Sequence, residues 1–311
     1  MTLQQLREVG HAQRRSLGSI QVGGARAEVS GGEAVRYFAP CPRGLEAALV
    51  SELAHLGARD AAAVPGGVAF HGDRALGYRA NLESRLASRI LQSVGEGRYA
   101  NEQDIYAFAK SIDWPRLFTV ERTVRVDVSA IRAPLKSLEF VTLRVKDAIC
   151  DRFRADQGAR PNVDTQAPDV RVQVFLTVDM LTVYLDLSGE PLFKRGWRED
   201  TGEAPLRENL AAGLIALSGW QPGTVFLDPM CGAGTLAIEA AQIALGQASG
   251  LGRSFGFERL RDFDEALWTQ MRAAANDRVD RGRRQVTIFA SDREGSAMVD
   301  ARANAARAGV E

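Results

Sequence analysis

The sequence predicts an α/β protein of three successive units, the last of which is built around a parallel sheet. Segments with strand-like alternation recur along the chain, and segments with helical periodicity separate them. The stretch VFLDPMCGAGTLAIEAA, at 225–241, then joins an apolar run to a helix through two glycines. With 311 residues, 45% hydrophobic and 25% charged, the chain is long enough for about two globular domains.

Charge and cysteine content narrow the class of protein. Because 39 basic residues balance 39 acidic ones, net charge does not indicate a nucleic-acid or membrane partner, and such a partner must be argued from local patches. Cys41, Cys150 and Cys231 form no C-x-x-C pair, which favours a reducing cytoplasmic compartment over a disulfide framework. The three histidines are too scattered for metal ligation, and no apolar run is long enough to span a membrane. We therefore expect neither a metal nor a membrane partner.

The first predicted unit spans residues 36–100 and follows a leader. Residues 1–35 mix charges, serine and glycine without sustained apolar periodicity, so we expect this leader to be mostly disordered. VRYFA at 35–39 and GVAFH at 67–71 are typical of strands. Between them, GLEAALVSELAHLGA places its leucines on one helical face and stops at Gly57.

Two longer helices are predicted from four-residue spacing. LGYRANLESRLASRILQSV, at 76–94, places Leu82, Leu86 and Ile90 on one face. FVTLRVKDAICDRFR, at 140–154, has a core face and a charged remainder. The core face of this second helix consists of Val141, Val145, Ile149 and Phe153.

A second unit covers residues 101–190, and a third covers 191–311. In the second, TVRVDVSAI, VRVQVFLTV and MLTVYLDLS alternate as half-buried strands do, and the last two predict a hairpin around Asp179. In the third, strand and helix patterns alternate, which predicts a parallel sheet. Its predicted elements are helices at 206–218, from Thr235 and near 263–280, and strands before Asp228 and at 285–292.

The glycine loop after Asp228 indicates a ligand site. In a parallel α/β sheet, ligands bind beyond the carboxyl ends of the strands, where glycines expose backbone N–H groups at a helix N-terminus. The loop has no G-K-[ST] for a triphosphate and lacks the third glycine of the dinucleotide fingerprint. An acid before the loop favours a ligand with an ammonium group, and S-adenosyl-L-methionine has one. The candidate contacts here are Asp228, Cys231, Gly232, Gly234 and Thr235.

The next strand supplies a further candidate contact. S-adenosylmethionine also carries a carboxylate, which suits a helix N-terminus, and a ribose diol, which suits an acid. Asp292 stands at the end of QVTIFASD and could bind the diol, with Glu294 as the alternative.

Longer stretches show a family resemblance. DPMCGAGTLAIEAA resembles motif I of the THUMP-domain class I RNA methyltransferases. CPRGLEAALVSELAHLGA, SRLASRILQSVGE, VKDAICDRF, RPNVDTQAPDVRVQVFL, VYLDLSGEPLFKRGWR and APLRENLAAGLIALSGWQPGT are similar, in order, to the bacterial 23S ribosomal RNA guanine-N2 methyltransferases of that family. The resemblance runs from about residue 36 to the end.

The resemblance implies a fold and an activity. It implies a ferredoxin-like piece at 36–100, a THUMP RNA-binding domain at 101–190 and the N-terminal part of a Rossmann-like methyltransferase domain at 191–311. It implies S-adenosylmethionine-dependent methylation of the exocyclic N2 of a guanine, with 23S ribosomal RNA as the partner. It also implies that PLRENLAA is the family's motif X, which adds Arg207, Glu208 and Asn209 to the cofactor candidates.

Local basic residues are the candidates for RNA phosphate contacts, because lysine and arginine supply most such contacts. Phe193 and Trp197, beside KRG, could stack on bases, although burial between domains is the favoured use. The basic candidates are Lys136, Arg144, Lys146, Arg152, Lys194, Arg195 and Arg198.

The sequence departs from the family pattern at two places. KSLEF at 136–140 replaces a more polar segment, which weakens any RNA contact by Glu139. None of the eleven prolines are adjacent, so the family's catalytic [ND]-P-P-[YF] motif does not occur and no catalytic residue is assigned. We therefore expect an incomplete methyltransferase domain that a separate chain could complete. The alternatives are an RNA-binding THUMP module without independent catalysis and a transfer RNA guanine-N2 methyltransferase.

Overall fold

The structure, a computed structural model of the chain, describes residues 34–198, 206–281 and 287–310. Most of the predicted leader and Pro205 of the predicted motif X lie outside the described residues. The strands are β1 Val35–Pro40, β2 Arg59–Val64, β3 Gly67–Gly72, β4 Leu91–Arg98, β5 Val124–Ala130, β6 Val170–Leu176, β7 Met180–Asp186, β8 Phe226–Asp228 and β9 Ile288–Ala290. The helices are α1 Glu46–His55, α2 Arg74–Glu83, α3 Glu102–Ser111, α4 Trp114–Leu117, α5 Leu138–Gln157, α6 Glu208–Ser218, α7 Thr235–Leu245, α8 Glu265–Arg281 and α9 Gly295–Ala308.

One seven-stranded sheet runs through both N-terminal units. Its order is β2-β3-β1-β4-β7-β6-β5, and every pair is antiparallel except β5 with β6. Strand β4 joins the two units, because it pairs with β1 on one side and with β7 on the other. The predicted hairpin of β6 and β7 is confirmed.

The predicted helix at 76–94 is wrong beyond its first turns. Helix α2 ends at Glu83, and the chain then runs irregularly into β4. The carboxylate of Glu52 on α1 accepts hydrogen bonds from the backbone N–H groups of Arg85, at 3.1 Å, and Leu86, at 3.4 Å. These tertiary bonds satisfy the backbone without a helix, while Leu86 and Ile90 are still buried. Apolar spacing alone could not distinguish the two conformations.

Two apolar cores lie against this sheet. Helix α5 extends over the second core, and the four residues predicted for its inner face are completely buried. The first core contains Leu49 and Leu53 of α1 together with Phe255, Phe257 and Trp268 of the third unit. The third unit therefore packs directly on the first, although the second lies between them in sequence.

The predicted parallel pairing in the third unit is confirmed. Strand β8 pairs in parallel with β9, so that Phe226 lies opposite Ile288 and Asp228 lies opposite Ala290. Helix α7 follows β8 and helix α9 follows β9. Both strands therefore end at the same edge of the sheet, where their loops meet.

Candidate active site

Main-chain hydrogen bonds join the loops that follow β8 and β9. Ser291 donates its backbone N–H to the carbonyl of Asp228 at 2.9 Å, and Cys231 donates to the carbonyl of Ser291 at 3.0 Å. Gly232 donates its N–H to Oδ2 of Asp292 at 2.9 Å. The structure thus brings together Asp228, Gly232 and Asp292, which the sequence places on two separate segments.

The two loop glycines adopt the left-handed conformation that favours glycine. Gly232 has φ +50° and Gly234, the N-cap of α7, has φ +84°. A Cβ on Gly232 would meet nothing within 4 Å, so its backbone faces open space. This open backbone lies beside the carboxylates of Asp228 and Asp292 and the N-terminus of α7. The arrangement fits S-adenosylmethionine, which carries an ammonium group, a carboxylate and a ribose diol.

Asp228 and Cys231 are buried side chains of the loop. Asp228 is 7% exposed, and its Oδ1 accepts a hydrogen bond from the N–H of Met230 at 3.2 Å. Burial, with a smaller effect of Asp228, raises the pKa of the Cys231 thiol, whose Sγ lies 3.7 Å from the sulfur of Met298. The thiol is therefore held neutral, which suits packing and not nucleophilic attack.

Asp292 is a carboxylate held in its ionised form. Hydrogen bonds from the backbone N–H groups of Glu294, at 3.0 Å, and Gly232 lower its pKa below the ordinary value of 3.8. Because the pKa is lower in the folded state, the contribution of Asp292 to stability is present above pH 3.8 and is lost as the pH falls further.

We expect Asp292→Asn to flatten the acid side of the stability profile. The wild-type urea midpoint should fall as the pH drops below 3.8, and the variant should show a smaller fall over the same interval. Urea unfolding in a pH series measures both slopes. Asp300→Asn, at an exposed carboxylate within α9, is the control. Equal acid slopes for wild type and Asp292→Asn would contradict this account.

The three predicted motif X residues occupy different environments. Arg207 is exposed and its guanidinium lies over the ring of Phe193, 5.0 Å from the centroid. Glu208 is buried and its Oε1 accepts from Nε of Arg198 at 2.8 Å. Asn209 faces the N-terminal unit, because its amide donates to Oγ of Ser88 at 3.1 Å. Arg198 therefore links Glu208 to Thr235, the first residue after the glycine loop, whereas Asn209 bonds the N-terminal unit.

Two of the predicted RNA contacts are not placed for that role. Arg195 is 4% exposed, and its Nε donates to Glu239 at 3.1 Å, so its charge is already paired inside the protein. Arg198 is also largely buried, and its Nη2 donates to Oγ1 of Thr235, the first residue of α7, at 2.5 Å. Sequence alone could not reveal this, because the exposed Lys194 and the two inward-facing arginines occur in the same KRGWR segment. Trp197 is buried, as favoured above.

The other predicted RNA contacts lie on or near the surface. Lys136 is exposed in the loop before α5, and Arg144 lies over the ring of Tyr106 at 4.3 Å. Three further cations are engaged by carboxylates: Lys146 by Asp147, Arg152 by Asp113 and Asp156, and Lys194 by Glu190. Lys136 thus differs from these three, because no ion pair engages it within the described ranges.

Helix α9 contributes loop contacts that the sequence analysis missed. Asn304 donates its amide to the carbonyl of Ala233, between the two loop glycines, at 3.0 Å. Arg307 donates to Oδ1 of Asn304 at 2.6 Å and to the carbonyl of Trp197 at 2.8 Å. No motif marks these residues, and only the packing of α9 beside α7 brings them to the loop.

The described residues contain neither a membrane-spanning helix nor a metal-binding cluster. Across residues 34–198, 206–281 and 287–310, none of the helices has the length and apolar character needed to cross a bilayer. Over the same ranges, no cluster of three or more histidine, cysteine or acidic side chains is arranged to hold a metal ion.

Three family models match successive parts of the chain. Residues 36–91 match the RlmL ferredoxin-like domain, 99–186 match the THUMP domain and 195–311 match the RMKL-like methyltransferase domain. The last match contains both loops and both carboxylates of the site.

Solved structures show the same fold over most of the chain. A predicted N6-adenine-specific DNA methylase from Listeria monocytogenes is 30% identical, with TM-score 0.81, over 90% of this chain and 73% of that one. SMU.472, described as a candidate methyltransferase and complexed with SAH (S-adenosylhomocysteine), is 32% identical, with TM-score 0.81, over 89% and 73%. TrmN from Thermus thermophilus, at 20% identity and TM-score 0.61 over 89% and 71%, shares the fold.

These matches agree with the geometry of the glycine loop. SAH is what remains of S-adenosylmethionine after its methyl group is transferred, so the SAH complex of a chain with the same fold supports S-adenosylmethionine as the cofactor. The chain belongs to the THUMP-containing family of RMKL-like methyltransferases, which use S-adenosyl-L-methionine.

Proposed function

We propose that this methyltransferase acts on the exocyclic N2 amine of a guanine in 23S ribosomal RNA. The observation that carries the proposal is the order of the three domains, with an RlmL-type ferredoxin-like domain before the THUMP domain and the cofactor loop. The colinear resemblance to bacterial 23S guanine-N2 enzymes supports the same substrate. A base inside a helix must leave its stack before an enzyme can reach it, so the target guanine is extruded.

The residues of the chain bind and orient the cofactor, which supplies the methyl group. We propose that Asp228 faces its ammonium group and Asp292 its ribose diol, because the two carboxylates flank the open backbone at Gly232. The N-terminus of α7, beginning at Thr235, favours the carboxylate of the amino-acid end. Together these contacts would fix the direction of the methyl group relative to the RNA.

RNA docking is proposed for the surface around the start of α5. Lys136 and Arg144 lie near this helix end, and Arg152 and Lys146 lie farther along the same helix. We also propose the domain limits 36–100, 101–190 and 191–311, which place this surface inside the THUMP unit. Cytoplasmic RNA is the partner that the proposal requires.

Lys136→Ala is expected to weaken RNA binding uniformly across sequences. Affinity falls as salt rises, and loss of one phosphate contact makes the slope of log affinity against log salt shallower by about 1. Fluorescence anisotropy with a 23S ribosomal RNA fragment in a salt series measures the slope. Arg36→Ala, on a strand of the ferredoxin-like unit where Arg36 pairs with Glu96, is the control and should leave the slope unchanged. An unchanged slope in Lys136→Ala would remove this residue from the interface.

A binding role without independent catalysis is the second candidate. The 311 residues contain no adjacent prolines, and an apolar surface is open on the β8–β9 unit, where Leu227 is 64% and Phe289 is 56% exposed. Two parallel strands rarely form a sheet by themselves, so we propose that further polypeptide, such as a separate chain, covers this surface. That polypeptide would also carry the group that holds the target amine.

The substrate is tested by methyl transfer from labelled S-adenosylmethionine. The chain, alone and with a polypeptide that carries the N-P-P-Y segment, is incubated with unmodified 23S ribosomal RNA, transfer RNA and DNA. The proposal predicts N2-methylguanosine in 23S ribosomal RNA, identified by nucleoside mass spectrometry. Label in transfer RNA or in adenine of DNA would overturn the substrate. RNA binding without label in either mixture would favour the binding module.

A further inference from the structure

Arg198 joins the two segments that border the cofactor loop. Its Nε donates to Oε1 of Glu208 at 2.8 Å, at the start of α6. Its Nη2 donates to Oγ1 of Thr235 at 2.5 Å, at the start of α7, and to the carbonyl of Leu206 at 3.2 Å. The guanidinium is thus fixed from both sides beside the N-terminus of the helix that follows the glycine loop.

One donor group of this guanidinium has no acceptor within the described part of the chain. The side chain of Arg198 is only 10% exposed, and its Nη1 is buried without a hydrogen-bond partner among the described residues. Nε1 of the adjacent Trp197 is in the same situation. Buried donors in native proteins are nearly always paired, so an unpaired charged donor at a ligand site indicates a missing acceptor.

The chemistry of the site favours an anionic acceptor. A guanidinium N–H makes a strong, charge-assisted hydrogen bond to a carboxylate oxygen, and Arg198 is already oriented by Glu208. The N-terminus of α7 adds unpaired backbone N–H groups and the positive end of a helix dipole. Both features meet at Thr235, which is 5% exposed. An anion at this position would satisfy both.

We propose that Arg198 binds the carboxylate at the amino-acid end of the cofactor. Glu208 acts as a positioning residue, because it holds Nε and leaves Nη1 for the ligand. The inference rests on the assignment of S-adenosylmethionine to this loop. Arg198, which the sequence predicted as a contact to RNA phosphate, would instead select cofactors that carry an intact amino-acid end.

Ligand truncation tests this role without any measurement of activity. The 311-residue chain is titrated with S-adenosylhomocysteine and with 5′-methylthioadenosine, which lacks the amino-acid carboxylate. Arg198→Gln is expected to weaken binding of S-adenosylhomocysteine by about 10- to 100-fold, because a hydrogen bond to a charged group is lost. Affinity for 5′-methylthioadenosine should stay unchanged, and Arg198→Lys should restore part of the loss. Lys194→Gln, an exposed cation on the same segment, should affect neither ligand.

Several outcomes would overturn the inference. Equal weakening of both ligands in Arg198→Gln would assign Arg198 a structural role only. If that variant does not fold, the affinity of wild type for S-adenosylhomocysteine is compared with its affinity for the decarboxylated analogue. Equal affinities would overturn the carboxylate contact. Wild type that binds neither adenosine ligand would contradict the cofactor site itself. Wild type that binds both equally would contradict only the role of Arg198.

Discussion

Glu239→Ala is expected to lower the free energy of unfolding by about 3–5 kcal/mol, because it leaves buried cations without their counter-charge. Glu239 on α7 is 0% exposed, and its two oxygens accept from Nη1 of Arg85 at 2.9 Å and Nε of Arg195 at 3.1 Å. The side chains of these arginines are 13% and 2% exposed. The carboxylate therefore joins the ferredoxin-like unit and the KRGWR segment to α7, the helix that follows the glycine loop.

Urea unfolding, followed by tryptophan fluorescence, measures the loss. Glu96→Ala is the matched control, because Glu96 and Arg36 form an ion pair with side chains 40% and 54% exposed. Such surface pairs contribute about 0–1 kcal/mol. Glu239→Gln keeps two polar atoms in place and should lie between the two. A change for Glu239→Ala no larger than for Glu96→Ala would show that the buried cluster contributes little.

Gly234→Val is expected to weaken S-adenosylmethionine binding by about tenfold or more. Gly234 has φ +84°, a conformation that costs a residue with a side chain about 1–2 kcal/mol. A Cβ there would also stand 3.2 Å from Cβ of Ala301 and 3.4 Å from Cδ1 of Ile238. Since the surrounding α7 and α9 resist displacement, the loop must change its conformation, and the carboxylates would no longer flank it as before.

Gly246→Val is the control for Gly234→Val. It introduces the same left-handed backbone strain, and so a similar loss of stability, outside the glycine loop. Gly246 is the C-cap of α7 with φ +68°, and an added Cβ there would meet nothing within 4 Å. Both variants should lose stability, but only Gly234→Val should lose cofactor affinity at a temperature where both are folded. Equal affinities in calorimetric titrations of the two variants would contradict a specific role for the loop geometry.

The geometry of the glycine loop could be predicted from the sequence because its signals are local. The acid, the two glycines and the helix start lie within Asp228–Thr235, and the strand-helix order fixes which edge of the sheet they share. The resemblance also suggested Glu208, which Arg198 links to Thr235. In each case, neighbours in sequence or consecutive elements determine the position.

Long-range packing explains what the sequence could not predict. The segment after Glu83 has helical spacing, but Glu52 binds its backbone from another helix. Arg195 and Arg198 are three residues apart in a basic segment, yet one is paired with Glu239 and the other reaches Thr235. The charge pattern of a segment does not show which of its arginines is buried in an ion pair with a carboxylate distant in sequence. Asn304 reaches the loop only through the docking of α9.

The most direct test is isothermal titration of S-adenosylmethionine into the 311-residue chain, beside Asp228→Ala. If the glycine loop is the cofactor site, wild type shows saturable binding and the variant binds about tenfold or more weakly, as expected for loss of a charged hydrogen-bond partner. Undiminished affinity in Asp228→Ala, or no binding by a folded wild-type chain, would contradict the site described for these residues.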